Sequence, residues 1–198
     1  MNQANGLPLD LVSLFHDGRT LEHYEQRRLI ANSNRPIYEA TLNGRKVALK
    51  EYAVGTDELK VPCRVRSTIV VASCARRLSP SSTLPHQVCY KEAALLRRLR
   101  HPSIVELEAI FQNAGHLYLQ MPWYENGTLE EWFTATRPSP LALAAVLLQL
   151  CQAVAHVHAN GVVHSDVKPE NVLIDASGRP RLGDFDVSKD ATTRRTHR

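Results

Sequence analysis

Residues 162–175 read VVHSDVKPENVLID, and residues 182–186 read LGDFD. Between apolar ends the first stretch carries His164, Asp166, Lys168 and Asn171; the second adds Asp184 and Asp186. Apolar flanks of this kind belong in a core, and burying charge beside them without a partner or a metal is costly. A solvated polar loop is therefore a poor account of the cluster. The two stretches predict a place where carboxylates, an amide and an ammonium meet for a chemical purpose.

Outward from that point the chain reads as a short series of elements. VLIDASGRPRLGDF folds back as a hairpin around Ser177-Gly178. Upstream, LALAAVLLQLCQAVAHV (141–157) is apolar almost all round and short of the ~20 apolar residues that span a bilayer, so it is expected as the buried centre of a soluble domain. Asn160-Gly161 stops it. TLEEWFTAT predicts a short helix with Thr128 as N-cap and Glu130-Glu131 favouring its dipole.

IVELEAIFQ (104–112) and HLYLQMPW (116–123) read as strands around a turn at 113–115. CYKEAALLRRLR (89–100) reads as a helix with Leu95, Leu96 and Leu99 in its apolar stripe, closed by His101-Pro102. IYEATL and RKVALKEY pair across Asn43-Gly44, a strong hairpin signal. Strands, one helix, strands and then mostly helix give an α+β fold: a small sheet-rich lobe, a hinge at 122–127 and a helical lobe.

Composition narrows the classes. With 43% hydrophobic and 22% charged residues the chain can build a globular core. The net charge of +4 comes partly from terminal TTRRTHR, and no aromatic residues interleave the basic ones, which argues against nucleic acid. Cys63, Cys74, Cys89 and Cys151 are scattered with no C-x-x-C spacing, as reduced thiols are, and the N-terminus has no signal-peptide pattern. An intracellular, cytoplasmic protein without a membrane span is expected. Residues 61–87 differ in character from their neighbours and read as an atypical insertion, either a loop or a translated intron. Residues 1–28 are expected to be a short helical extension.

VVHSDVKPENVLID followed by LGDFD, with VALK and KEAALLRRLRHPSIV upstream in the same order, resembles the catalytic core of the eukaryotic protein kinases from about Leu29 to Lys189. The resemblance implies a two-lobed fold, with the small lobe at 29–121 and the hinge and part of the helical lobe at 122–198. It implies transfer of the ATP γ-phosphoryl group, with Mg²⁺, to a protein hydroxyl. Lys50 would hold the α- and β-phosphates, anchored by Glu92; Asp166 would orient the hydroxyl and accept its proton; Lys168 would neutralise the transferring phosphate. A lysine at that place goes with serine and threonine substrates. Asn171 and Asp184 would ligate Mg²⁺. Ile37, Ala48 and Leu173 would sandwich adenine with Met121 behind it, and backbone groups of Pro122 and Tyr124 would meet its edge. Leu96, Leu107, His164 and Phe185 match the family's stacked apolar column.

The chain departs from that pattern at several places. Ile30, Asn32 and Arg35 stand where the phosphate loop has glycines, whose missing Cβ lets backbone approach phosphate. Ser165 replaces the arginine that answers an activation-loop phosphate, and Asp186 replaces the glycine after Asp184-Phe185. The sequence ends at Arg198 with no A-P-E motif, so it reads as a fragment with little activity expected of it alone, and without the elements that would cover it the helix at 141–157 is expected to expose apolar surface. Two functions stand: a serine/threonine kinase, or a pseudokinase scaffold that keeps the fold and binds partners without transferring phosphate.

Overall fold

The structure is a computed structural model and describes residues 9–16, 18–31, 35–54 and 85–190. Its small lobe is a five-stranded antiparallel sheet in the order β1-β2-β3-β5-β4. The strands are β1 (Glu25–Ala31), β2 (Ile37–Leu42), β3 (Arg45–Ala53), β4 (Ala109–Asn113) and β5 (His116–Pro122). Asn43 and Gly44 take φ of 52° and 76°, the pair of positive values a two-residue hairpin needs to match strand twist. Along β3, Val47 and Leu49 join Tyr24, Phe111 and Tyr118 on the outer face. Period-two alternation sends Ala48, Lys50 and Tyr52 to the inner one.

The α-helix that the described residues of this lobe contain, α1 (Pro85–Arg98), lies on the inner face. Cys89, Glu92, Ala93, Leu96 and Leu99 recur at helical spacing and are all buried. The helix begins at Pro85, so the last residues of 61–87 belong to it; residues 55–84 lie outside the described residues, as do 191–198.

Two expectations change here. IVELEAIFQ is strand only from Ala109. Val105 donates its N–H to Leu182 O at 2.9 Å, and Leu182 returns its own to Ser103 O at 2.9 Å. Residues 103–105 thus bond to the second lobe instead of the sheet, and their apolar side chains join the lobes. The N-terminal residues are also more than an extension. A 3-10 turn at Leu9–Leu14 buries Leu11 and Leu14 in the cluster that contains α1, and His16 donates to Ile110 O at 2.9 Å along the free edge of β4.

The second lobe holds α2 (Leu129–Thr136), α3 (Pro140–Ala159), the pair β6 (Val162–Val163) with β9 (Lys189–Asp190), and the hairpin β7 (Val172–Ile174) with β8 (Pro180–Leu182). Thr128 caps α2 as read: its Oγ1 accepts from Glu131 N at 3.2 Å, while the Glu131 carboxylate takes the Thr128 N–H at 2.8 Å. α3 is not the fully buried helix of a complete domain; it shows the exposed apolar surface also expected of it. Only Val146, Ala153 and Val157 are buried, while Leu141 is 81% and Leu148 62% exposed. One stripe rests on the lobe core, and the rest of the apolar surface meets nothing among the described residues. By length and composition α3 could cross a membrane; its buried stripe instead packs into the core shared with Leu182 and Phe185.

Candidate functional site

Lys50 and Glu92 come from β3 and α1, and they meet inside. Lys50 Nζ lies 3.0 and 2.9 Å from the two Glu92 carboxylate oxygens and 2.6 Å from Asp184 Oδ1. The side chains of Lys50 and Glu92 are 5% and 1% exposed. Burial works to lower the Lys50 pKa, but the charges of Glu92 and Asp184 outweigh it and hold the ammonium above its ordinary value. Glu92 has two further donors, the Tyr52 hydroxyl and the Phe185 N–H at 3.3 Å.

The residues of VVHSDVKPENVLID and LGDFD converge through His164. Its Nε2 donates to Gly183 O at 2.8 Å and its Nδ1 accepts from Asp166 N at 3.3 Å, which assigns the proton to Nε2. Its ring meets Phe185 edge-on, with centroids 4.6 Å apart. This buried imidazole therefore joins the two loops. Between His164 and Asp166, Ser165 takes φ of 72°, and Asp184 takes 60°, left-handed values that non-glycine residues adopt at a cost.

Asp166 is held from two sides. Asn171 Nδ2 donates to its carbonyl at 2.9 Å and to Oδ2 at 2.8 Å, and Lys168 Nζ lies 2.7 Å from the same Oδ2. The bond from Lys168 is the main cause that lowers the Asp166 pKa, and it raises that of Lys168 in turn. The Asp166 carboxylate is 36% exposed, so it is open to a substrate. With Nδ2 committed, Asn171 has Oδ1 left to give. Gly183 N donates to Asn171 O at 2.8 Å, which sets Asp184 beside it.

An amide oxygen and a carboxylate fit Mg²⁺, a hard cation that takes few protein ligands and keeps water or phosphate oxygens. Among the described residues no group of three or more His, Cys, Asp or Glu is arranged for a metal. Asp186 is half-buried, and burial followed by the Asp184 charge raises its pKa. It adds like charge beside Asp184 that a glycine would not.

Of the residues read as an adenine pocket, Met121 and Tyr124 are buried in one cluster with Ala48 and Leu173 packed on it. Pro122 ends β5 opposite Val47, at the start of the hinge. Ile37 stands apart from the cluster, opposite Lys50 at the first register position of β2. Leu96, Leu107, His164 and Phe185 are all buried, and the three apolar ones share the main core. Sequence reasoning missed Val105, which completes the cluster of Met121 and Tyr124, because its stretch reads as strand. It also missed Tyr52, although Tyr52 follows Lys50 by two on a strand and so must share its face. Of the three positions without glycine, Ile30 ends 45% exposed on β1, Asn32 lies outside the described residues, and the Arg35 guanidinium sits 5.0 Å from the Tyr52 ring centroid.

A small antiparallel sheet with one helix, hinged to a helical lobe, with a buried Lys–Glu pair at their junction, is a protein-kinase-like fold. Comparison with known proteins agrees. The protein kinase domain matches residues 63–198, more than half of the chain, and the chain belongs to the protein kinase family. The match begins beyond β3, so Lys50 precedes it.

A bifunctional serine/threonine-protein kinase/NEDD4-like E3 ubiquitin-protein ligase of Dictyostelium discoideum is 26% identical over 180 residues, 87% of this chain and 8% of that protein. Mouse serine/threonine-protein kinase PAK 4 is 33% identical over 114 residues, 56% of this chain and 19% of that one. Mouse serine/threonine-protein kinase Nek3 is 34% identical over 112 residues, 55% and 21% of the two chains. The chain thus spans less than a quarter of the length of these relatives.

Proposed function

We propose that the site binds ATP with Mg²⁺ and transfers the γ-phosphoryl group to a serine or threonine hydroxyl of a protein. The observation that carries this reading is the convergence of two polar groups from distant parts of the chain. Lys50, Glu92 and Asp184 form one; Asp166, Lys168 and Asn171 form the other; and His164 joins them. Phosphoryl transfer asks a protein mainly for positioning and charge neutralisation, and this arrangement supplies both.

Glu92 keeps the Lys50 ammonium in place for the α- and β-phosphates. Ala48, Leu173 and Met121 enclose adenine, with Ile37 on β2 outside their cluster, and the adenine edge pairs with the Pro122 carbonyl and the Tyr124 backbone. Asn171 and Asp184 would hold Mg²⁺, which when bound offsets phosphate charge. Asp166 orients the substrate hydroxyl and takes its proton, while Lys168 steadies the phosphoryl oxygens. The serine/threonine names of the relatives support the choice of hydroxyl.

A second reading, a partner-binding scaffold without transfer, draws on Ile30 and Arg35 in place of glycine and on the added charge of Asp186. The two part in one assay, run on a protein that carries this chain within a complete kinase domain, with γ-labelled Mg·ATP and a generic protein substrate. Label should reach the substrate, and Asp166→Asn and Lys50→Met should each abolish it. Nucleotide binding with no label transferred by the natural sequence would leave the scaffold.

A further inference from the structure

Tyr52 has no part in the reading above, yet it lies against Glu92, Lys50 and Arg35 at the phosphate end. It is fully buried, its hydroxyl donates to Glu92, and its ring has Arg35 5.0 Å and Lys50 5.7 Å from the centroid. Arg35 occupies a place where the phosphate loop of the family has glycine. We infer that Tyr52 is a positioning residue of the phosphate site: its hydroxyl fixes the Glu92 carboxylate against Lys50, and its ring seats the Arg35 guanidinium as a second cation toward the phosphates. This rests on the nucleotide reading proposed above.

The physical reasons are three. A carboxylate on a helix can rotate about its side-chain bonds, and Lys50 alone is a point charge that accepts many orientations. The Tyr52 hydroxyl, on a rigid ring two residues from Lys50 along β3, removes that freedom. Burial and the Glu92 charge raise the phenol pKa, so the hydroxyl remains a donor throughout the neutral range. An aromatic face also attracts a guanidinium and orients its plane. A glycine-free loop loses close backbone N–H contacts with phosphate, and a guanidinium held at that end of the cleft offers donors in their stead.

The test compares Mg·ATP with adenosine, each titrated calorimetrically into the full chain. Tyr52→Phe deletes only the hydroxyl; Arg35→Ala removes the half-buried side chain beyond Cβ, guanidinium included. Each should weaken Mg·ATP about tenfold, the scale of one hydrogen bond to a charged group, while adenosine binds as before. Tyr52→Leu, which removes ring and hydroxyl together, should weaken Mg·ATP more than Tyr52→Phe.

Mg·ATP affinity unchanged in Tyr52→Phe and Arg35→Ala would overturn the inference while the nucleotide reading stands. So would an equal loss for ATP and adenosine, the mark of a merely structural residue. Failure of the natural sequence to bind Mg·ATP would overturn the nucleotide reading and the inference with it. If Tyr52→Leu does not fold, the other two variants decide, since each leaves the core packing in place.

Discussion

Lys50 Nζ has three carboxylate oxygens within 3.0 Å, two from Glu92 and one from Asp184. It is the cation that lets the buried Glu92 and the partly exposed Asp184 approach each other. Lys50→Met keeps the volume and removes the charge, so an acid is left buried without its cation. Breaking a buried pair in this way costs about 3–5 kcal/mol, and urea denaturation at pH 7 should show a loss of that size. The folded pKa of Lys50 is raised. Its contribution is therefore fully present below the unfolded value near ~10.4 and is lost only as pH rises through the folded one. The gap between the two proteins should accordingly hold constant from about pH 6 to 9. A variant as stable as the parent would show that the pair does not form in solution. Lys50 and Glu92 were legible in the sequence because VALK and the helical KEAALLRRLR stand in a recognisable order; Tyr52 was not, because its role depends on where α1 docks.

At the scale of elements, the β7–β8 hairpin shows how one acid can hold a turn. Asp175 accepts from Ser177 N at 3.0 Å, Ser177 Oγ at 2.7 Å, Arg179 N at 3.0 Å and Arg181 Nη2 at 2.8 Å. Burial pushes its pKa up, but these donors together bring it down to about 2. A depressed acid contributes stability that is present above its unfolded pKa of ~3.9 and is lost as pH falls through the folded value. Asp175→Asn should therefore cost about 2 kcal/mol at neutral pH. The difference should shrink below about pH 4 and be nearly gone by about pH 2. Denaturant titrations at several pH values check this, and a difference that persists at the acid end would assign the effect to packing. The hairpin itself was plain in the sequence because Ser-Gly between apolar runs is local information. The start of β4 was not, since Ile104 and Val105 are β-branched like strand residues and only the nearness of β8 draws the backbone bonds of residues 103–105 away.

Across the whole molecule, the order of elements was readable and the burial of each was not. A helix apolar on all sides looks like a core helix in any sequence; how much of α3 is covered depends on which elements lie against it, and most of its surface is open. The opposite happened at the N-terminus. Leu11 and Leu14 lie in a single 3-10 turn, too short for a period to show, yet both are buried against the cluster that carries α1. Because α1 places Glu92, this turn supports the Lys50–Glu92 pair from behind. Leu11→Ala should cost about 2–5 kcal/mol, as a cavity in a packed core does, and should speed amide exchange along α1 more than in the second lobe. Ser13→Ala, an exposed change in the same turn, should alter neither. If Leu11→Ala matched Ser13→Ala in stability and exchange, the turn would be an ornament of the surface and α1 would be held from the sheet alone.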